Sequence, residues 1–215
     1  MEISAPLLQA YLETHCQPEP PLLQKIAHET HLKVLRPHMI SGHYQGRVLS
    51  FFSKLLQPKA ILEIGTFTGY ATICLAEGLA ENGEIHTIEV NPELEDMLKS
   101  NFLASGFEEK IKLYIGEVFH IFPIISQKIF DIAFIDADKR NNYEYYQLIF
   151  DNIRPGGLII VDNILRKGKI LEQSNQENDI RLLREFNDKI TADTRVENLI
   201  LPIRDGLMII RKKQL

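Results

Sequence analysis

Strand-length apolar runs rich in Ile, Val, Phe and Leu alternate with longer amphipathic stretches from residue 60 to residue 162, and each run closes on Gly, Asp, Asn or Pro. Runs such as Ala133-Phe134-Ile135 and Leu158-Ile159-Ile160-Val161 lack the polar alternation that a solvated face needs, so both faces of these strands must be covered. Parallel strands joined by crossover helices meet that demand. The pattern predicts strands near residues 60–64, 84–90, 112–115, 130–136 and 157–162, with helices near 70–81, 92–105 and 142–152 between them.

Upstream, residues 46–56 read as a helix with Val48, Leu49, Phe52, Leu55 and Leu56 on one side, and residues 6–12 and 22–31 as further helices. Downstream, a polar stretch at 166–178 precedes a helix over 179–190, whose Ile180, Leu182, Leu183, Phe186 and Ile190 suit docking on the sheet. That polar stretch follows a strand end, where ligands of open α/β sheets collect, and reads equally as an active-site loop or a solvated connection. Two last runs, 196–201 and 207–211, are joined by Pro202-Ile203-Arg204-Asp205-Gly206, whose turn chemistry predicts an antiparallel hairpin. With 215 residues, 45% hydrophobic, the chain can bury one substantial core and is short for two. One domain over 1–215 is expected, a helical segment at 1–57 leading into an α/β core at 58–215.

A net charge of −5 gives no general attraction for nucleic acid or anionic membranes, so neither is an expected partner. The N-terminus shows no basic leader with an apolar stretch, and no segment approaches the ~20 apolar residues of a membrane span, so a soluble cytoplasmic protein is expected. Cys16 and Cys74 lie far apart and suggest neither a disulfide nor a CxxC metal site. The seven histidines, His38 and His43 among them, fit no compact zinc motif and read as surface residues.

Glu63-Ile64-Gly65-Thr66-Phe67-Thr68-Gly69 ends a predicted strand and opens a helix, so backbone can approach a ligand and N–H groups are free to meet it. Glu89, near the end of the next strand, stands where such folds bond a ribose hydroxyl pair. The pair favours a nucleoside cofactor over a plain tight turn, and the missing third glycine of GxGxxG disfavours a nicotinamide one. Asp136, Asp138 and Lys139 close one later strand, and Asp162 and Asn163 another. If those strands are adjacent, Asp136, Asp162 and Asn163 suit one oxygen-ligated cation such as Mg²⁺; solvated or helix-capping aspartates are the other reading.

Taken in order, Met39-Ile40-Ser41, Gln45-Gly46, EIGTFTGY, IEVNPE, FIDADK, VDN and LPIRDGL resemble the cation-dependent O-methyltransferases that include the catechol and caffeoyl-CoA enzymes, with the tail most similar to bacterial members. The resemblance covers residues 20–213. It implies a Rossmann-like methyltransferase fold: a mostly parallel seven-stranded sheet, a C-terminal antiparallel hairpin and helices on both faces. It also implies S-adenosyl-L-methionine as cofactor, with Ser41 at its methionine part, Glu63 at its amino group, Gly65 and Thr66 presenting backbone, and Glu89 on the ribose. Val118 then falls beside the adenine and Asp138 near the methionine part. Asp136, Asp162 and Asn163 match the ligands of a divalent cation, Mg²⁺ ahead of Ca²⁺ or Mn²⁺. Lys139 matches the catalytic base, with Asp136 also near the reacting hydroxyl.

Three positions depart from the pattern. Ala71 stands where the family has a serine, leaving backbone and a helix N-terminus for the cofactor carboxylate. Val118 replaces a more usual alanine, and Ile164-Leu165-Arg166-Lys167-Gly168 replaces an aromatic and glycines, so the substrate wall differs. The implied activity is O-methylation of a catechol-type or hydroxycinnamoyl-type small-molecule phenol by a homodimer. A methyltransferase for another nucleophile, a cofactor-binding homologue without activity, and a nicotinamide-dependent oxidoreductase are the competing readings.

Overall fold

The structure, a computed structural model, describes residues 5–172 and 174–214; residues 1–4, 173 and 215, which fall within the one-domain expectation and the 166–178 stretch, lie outside the described residues. Seven strands form one sheet: β1 (Ala60–Ile64), β2 (Glu84–Glu89), β3 (Ile111–Ile115), β4 (Phe130–Ile135), β5 (Ile153–Val161), β6 (Val196–Leu201) and β7 (Leu207–Lys212), in the order β3-β2-β1-β4-β5-β7-β6. The first five are parallel to one another, and β7 runs antiparallel to both β5 and β6. The expected fold class is therefore the observed one.

Successive strand residues point to opposite faces, and each face has its own helical cover. Ile61, Ile85, Phe134 and Ile160 pack with Leu23 and Ile26 of α2 (Pro21–Lys33), Leu49 of α3 (His43–Leu56), Ile73 of α4 (Tyr70–Ala76) and Leu98 of α5 (Glu95–Ser105). Leu62, Ala133, Ile159 and Val161 pack with Phe122 of α6 (Val118–Ile125), Tyr146 of α7 (Asn142–Ile149) and Phe186 of α8 (Asn178–Ala192). An N-terminal helix, α1 (Ala5–Thr14), contacts α3. Among the described residues no helix is long and apolar enough to cross a membrane.

The structure differs from the predicted elements in three places. Helix α4 ends at Ala76 instead of reaching 81, and the turn that follows brings Gly78 so close to α3 that a Cβ there would lie 2.2 Å from the Ser53 carbonyl carbon. Only a glycine fits at that crossing. Helix α6 was not predicted at all: its residues VFHIFPII are almost uniformly apolar and carry an internal Pro123, so no 3.6-residue stripe marks it. The polar stretch contains a 3-10 turn over Arg166–Leu171 with left-handed backbone at Lys167 and Gly168.

Candidate functional site

The carboxyl ends of β1, β4 and β5 bring the chemistry-bearing residues together. Ile64 pairs with Ile135 and Ile135 with Val161, and the ladder continues one step beyond, Asp136 N–H donating to Ile64 O at 2.8 Å and Asp162 N–H to Ile135 O at 3.0 Å. Gly65, Asp136 and Asp162 consequently stand at one level on three neighbouring strands. Gly65 has φ of +97°, and a Cβ there would lie 2.3 Å from the Asp136 carbonyl oxygen, so both backbone and space require glycine. A cleft opens above it, lined by Met39, Ile40, Ser41, Gly65, Thr66, Phe67, Thr68, Tyr70, Ala71 and Asp136. Four sequence-predicted cofactor positions (Ser41, Gly65, Thr66 and Ala71) thus face one space.

Glu63 and Glu89 lie just beneath that cleft. Glu63 is fully buried, and its Oε2 accepts from Thr72 Oγ1 at 2.5 Å and Thr87 Oγ1 at 2.6 Å. Thr66 Oγ1 lies 2.5 Å from Thr87 Oγ1, extending the chain of hydroxyls to the loop. The other oxygen, Glu63 Oε1, is buried with no protein partner. Burial pushes this carboxyl up to about 8 against the pull of the two threonine hydroxyls. A buried acceptor lacking a donor fits an ammonium group entering from the cleft. Glu89 accepts from Phe67 N–H at 2.7 Å and Asn91 N–H at 2.9 Å, which fixes the carboxylate at the β2 end. Val118 begins α6, 7% exposed, right after Gly116-Glu117 at the β3 end.

Asp136 and Asp162 form the acidic pair. Asp162 is 3% exposed; its Oδ2 accepts from Gln45 Nε2 at 2.7 Å and its Oδ1 from Asn163 N–H at 2.6 Å. Burial raises both carboxyls above their ordinary range, and at Asp136 the charge of Asp162 adds to that. Lys139 Nζ lies 3.2 Å from Asp136 Oδ1 and donates to Ala137 O at 3.3 Å. Asn163 follows in left-handed backbone, φ 61°. Two carboxylates and an amide oxygen on adjacent strand ends are a hard-oxygen donor set, and two neighbouring like charges, Asp162 buried and Asp136 partly so at the cleft, are what a divalent cation neutralises, so these residues fit such an ion. Among the described residues no group of three or more His, Cys, Asp or Glu is placed to hold a metal, so the amide is essential to this set. Asp138 stands apart from the cleft lining: it is exposed and caps the turn Lys139–Asn141, accepting from Arg140 N–H at 3.3 Å and Asn141 Nδ2 at 3.2 Å.

Sequence reasoning missed the supporting residues. Gln45, quoted above only as part of a motif, is fully buried one turn from Leu49 and grips Asp162. A polar side chain on an apolar helix face was the available signal. Thr87, inside a buried strand, was another. Nothing local marked Arg204, whose guanidinium donates to Ile40 O at 2.6 Å from 164 residues away.

Comparison with known proteins gives the family. Residues 13–213 match the family described as O-methyltransferase. A catechol O-methyltransferase of Niastella koreensis is 36% identical over 160 residues, covering 73% of this chain and 72% of that one. A caffeoyl-CoA O-methyltransferase of Populus trichocarpa is 30% identical over 220 residues, covering 96% and 88%. Among solved structures, an O-methyltransferase from Bacillus cereus in complex with SAH superposes with a TM-score of 0.88 at 28% identity, covering 96% of this chain and 97% of that one. The chain belongs to the S-adenosylmethionine-dependent O-methyltransferase family, the class of enzyme that its ordered motifs imply.

Proposed function

We propose that the chain methylates one hydroxyl of a catechol-type or hydroxycinnamoyl-type small-molecule phenol, using S-adenosyl-L-methionine and a divalent cation held by Asp136, Asp162 and Asn163. The observation that carries this reading is the Asp136–Asp162 pair on adjacent strand ends, with Lys139 Nζ 3.2 Å from Asp136 and the cleft directly alongside. The similarity to a catechol O-methyltransferase and a caffeoyl-CoA O-methyltransferase supports the acceptor class.

A phenol is a weak nucleophile at neutral pH because its pKa is near ~10. A bound cation such as Mg²⁺, Ca²⁺ or Mn²⁺ supplies charge that makes a neighbouring hydroxyl more acidic. The cofactor supplies the sulfonium methyl. Lys139 Nζ, as the neutral amine, would receive the phenolic proton as the oxygen bonds the methyl carbon, and the departing sulfur would keep the electron pair of the C–S bond. Ser41, Gly65, Thr66 and the backbone at Ala71 line the cofactor side, Glu63 Oε1 accepts from the ammonium, and Glu89 faces the ribose. Val118 bounds the adenine side, and Asp138 serves through the turn that carries Lys139. Holding oxygen and methyl in line accounts for up to ~7–11 kcal/mol of the barrier in well-oriented systems.

The two free thiols, Cys16 and Cys74, suit a reducing cytoplasm. Exposed Leu7, Leu8 and Tyr11 on α1, with Phe51 and Leu55 on the contacting α3, offer apolar surface for the homodimer that belongs to this reading.

A labelled-methyl assay over catechols, hydroxycinnamates and their CoA esters, with Mg²⁺ and after chelation, tests the reading. Asp162→Ala and Lys139→Ala are each expected to lower kcat/KM by about 100-fold or more with the circular dichroism spectrum unchanged. Full activity after exhaustive chelation would remove the cation from the reaction.

A further inference from the structure

Two short irregular segments flank the site: one carries the Met39-Ile40-Ser41 wall of the cleft, and the other leaves the β5 end directly after Asp162 and Asn163, outside the cleft lining, as the wall on the acceptor side of the proposed reaction. The first, residues 38–41, is held locally by only two turn hydrogen bonds, Met39 N–H to Arg36 O at 3.0 Å and Ile40 N–H to Pro37 O at 3.2 Å. Left-handed Arg36, φ 55°, stands before it and Gly42, φ 75°, after it. The second, residues 164–167, follows Asn163 and contains two more left-handed residues, Arg166 at φ 47° and Lys167 at φ 53°. Segments of this kind take their position from what they are tied to.

Both are tied to the same five residues. The turn Pro202-Ile203-Arg204-Asp205-Gly206, joining β6 to β7, is itself closed by Ile203 N–H to Leu201 O and Gly206 N–H to Ile203 O, each 2.8 Å. On one side the Arg204 guanidinium donates to Ile40 O at 2.6 Å, to Ser41 O, and to His38 O at 3.3 Å. On the other side Asp205 O accepts from Leu165 N–H at 2.8 Å, Gly206 O from Ile164 N–H at 3.2 Å, and Asp205 Oδ1 from Lys167 N–H. Gly206 is pressed against the second wall so closely that a Cβ would lie 2.4 Å from Leu165 Cγ.

We infer that Arg204 and Asp205 are positioning residues for methyl transfer, Arg204 setting the wall that carries Ser41 and Asp205 setting the wall that follows Asp162 and Asn163. The turn then fixes the spacing between donor and acceptor pockets. This rests on the reaction proposed above, in which the first wall borders the cofactor and the second the phenol. Because the turn leads into β7, which is paired on both sides by β5 and β6, it gives the two irregular segments one shared reference in the sheet. A reaction whose rate falls about 100-fold for a misplacement near 1 Å needs such a reference.

The inference predicts a split between two constants. In Arg204→Gln, the Kd for S-adenosylhomocysteine measured by calorimetry is expected to rise about tenfold, the scale of one or two charge-assisted hydrogen bonds, while the KM for 3,4-dihydroxybenzoate with Mg²⁺ stays within about twofold. In Asp205→Ala the pattern reverses, and Asp205→Asn, which keeps the Oδ1 acceptor, restores the KM. Arg204→Lys, which keeps the charge with fewer donors, is expected to fall between. Hydrogen exchange gives a readout independent of turnover: Arg204→Gln speeds exchange at Met39 and Ile40 only, and Asp205→Ala at Lys167, whose N–H loses its Oδ1 acceptor, while Leu165 keeps its bond to the Asp205 carbonyl. Equal shifts of both constants in each variant, or exchange unchanged at both walls, would overturn the inference. A wild-type chain that neither binds S-adenosylhomocysteine nor methylates the probe would sink the proposed reaction instead, and the exchange pattern would still decide the role of the turn.

Discussion

Glu63 is a carboxylate built to be neutral until something cationic arrives. Its Oε2 takes both threonine hydroxyls while Oε1 has no partner, and burial raises the group to about 8. At pH 6.5 the ligand-free chain therefore holds a proton there. An ammonium placed at Oε1 stabilises the charged form and expels that proton. Binding of S-adenosylhomocysteine at pH 6.5, measured by calorimetry in buffers of different ionisation enthalpy, is expected to release about one proton. In Glu63→Gln the release should vanish and affinity fall about 10- to 100-fold, since an amide can mimic the neutral acid but offers Oε1's place a donor instead of an acceptor. Buffer-independent heats in the wild type would contradict this role. The sequence marks Glu63 only as the acid before a glycine loop; that it is neutral and half-satisfied depends on Thr72 and Thr87, which arrive from a helix and a neighbouring strand.

At the scale of elements, the crossing of α3 and α4 holds the cleft in place. A Cβ at Gly46 would lie 2.7 Å from Tyr70 Cε1 and 2.8 Å from Cys74 Sγ. Both neighbours are almost fully buried, Tyr70 at 2% exposure and Cys74 at 0%, so neither can swing aside. Gly46→Ala gains about 1 kcal/mol of helix propensity and incurs about 1–3 kcal/mol of overpacking. Overpacking is expected to win, lowering Tm by a few degrees, about 2–4 °C per kcal/mol for a chain this size. Because Tyr70 also lines the cleft, cofactor affinity should weaken alongside. A variant as stable as the wild type would show that the helices can part at no cost. This crossing also shows where sequence reading runs out. The apolar stripe of α3 and the strand runs follow from local periodicity, and the strand-end acids from their place after those runs. The need for glycine at 78 comes from its contact with α3, the existence of α6 from a surface it covers, and the partnership of Gln45 with Asp162 from residues 117 apart in sequence. None of these is encoded within a window of one element.

Across the whole molecule, carboxylates fall into two populations that titrate in opposite senses. At the ligand end Glu63 is raised, whereas at the periphery Glu77 is lowered to about 2: burial alone would raise it, and hydrogen bonds from Arg47, Lys54 and Ser50 outweigh that. For Glu77 the folded value lies below the ordinary 4.5, so its stabilisation is present above pH 4.5 and is lost as pH falls towards 2. For Glu63 the folded value lies above 4.5, so folding is penalised progressively as pH climbs from 4.5 to about 8. The ligand-free chain should consequently be most stable in mildly acidic solution, with an acid limb to which Glu77 contributes and a neutral-to-alkaline sag to which Glu63, Asp136 and Asp162 all contribute. Urea unfolding across this range checks it. Glu77→Gln is expected to cost about 2–3 kcal/mol near pH 6 and flatten the acid limb, because Arg47, only 11% exposed, loses its carboxylate. Glu63→Gln should leave the acid limb alone and make the sag shallower, the part due to Asp136 and Asp162 remaining. S-adenosylhomocysteine should make the sag shallower in the wild type as well, since the ammonium that binds Glu63 cancels the cost of its charge; a ligand that raised stability equally at pH 5 and pH 8 would separate the two effects and defeat the argument.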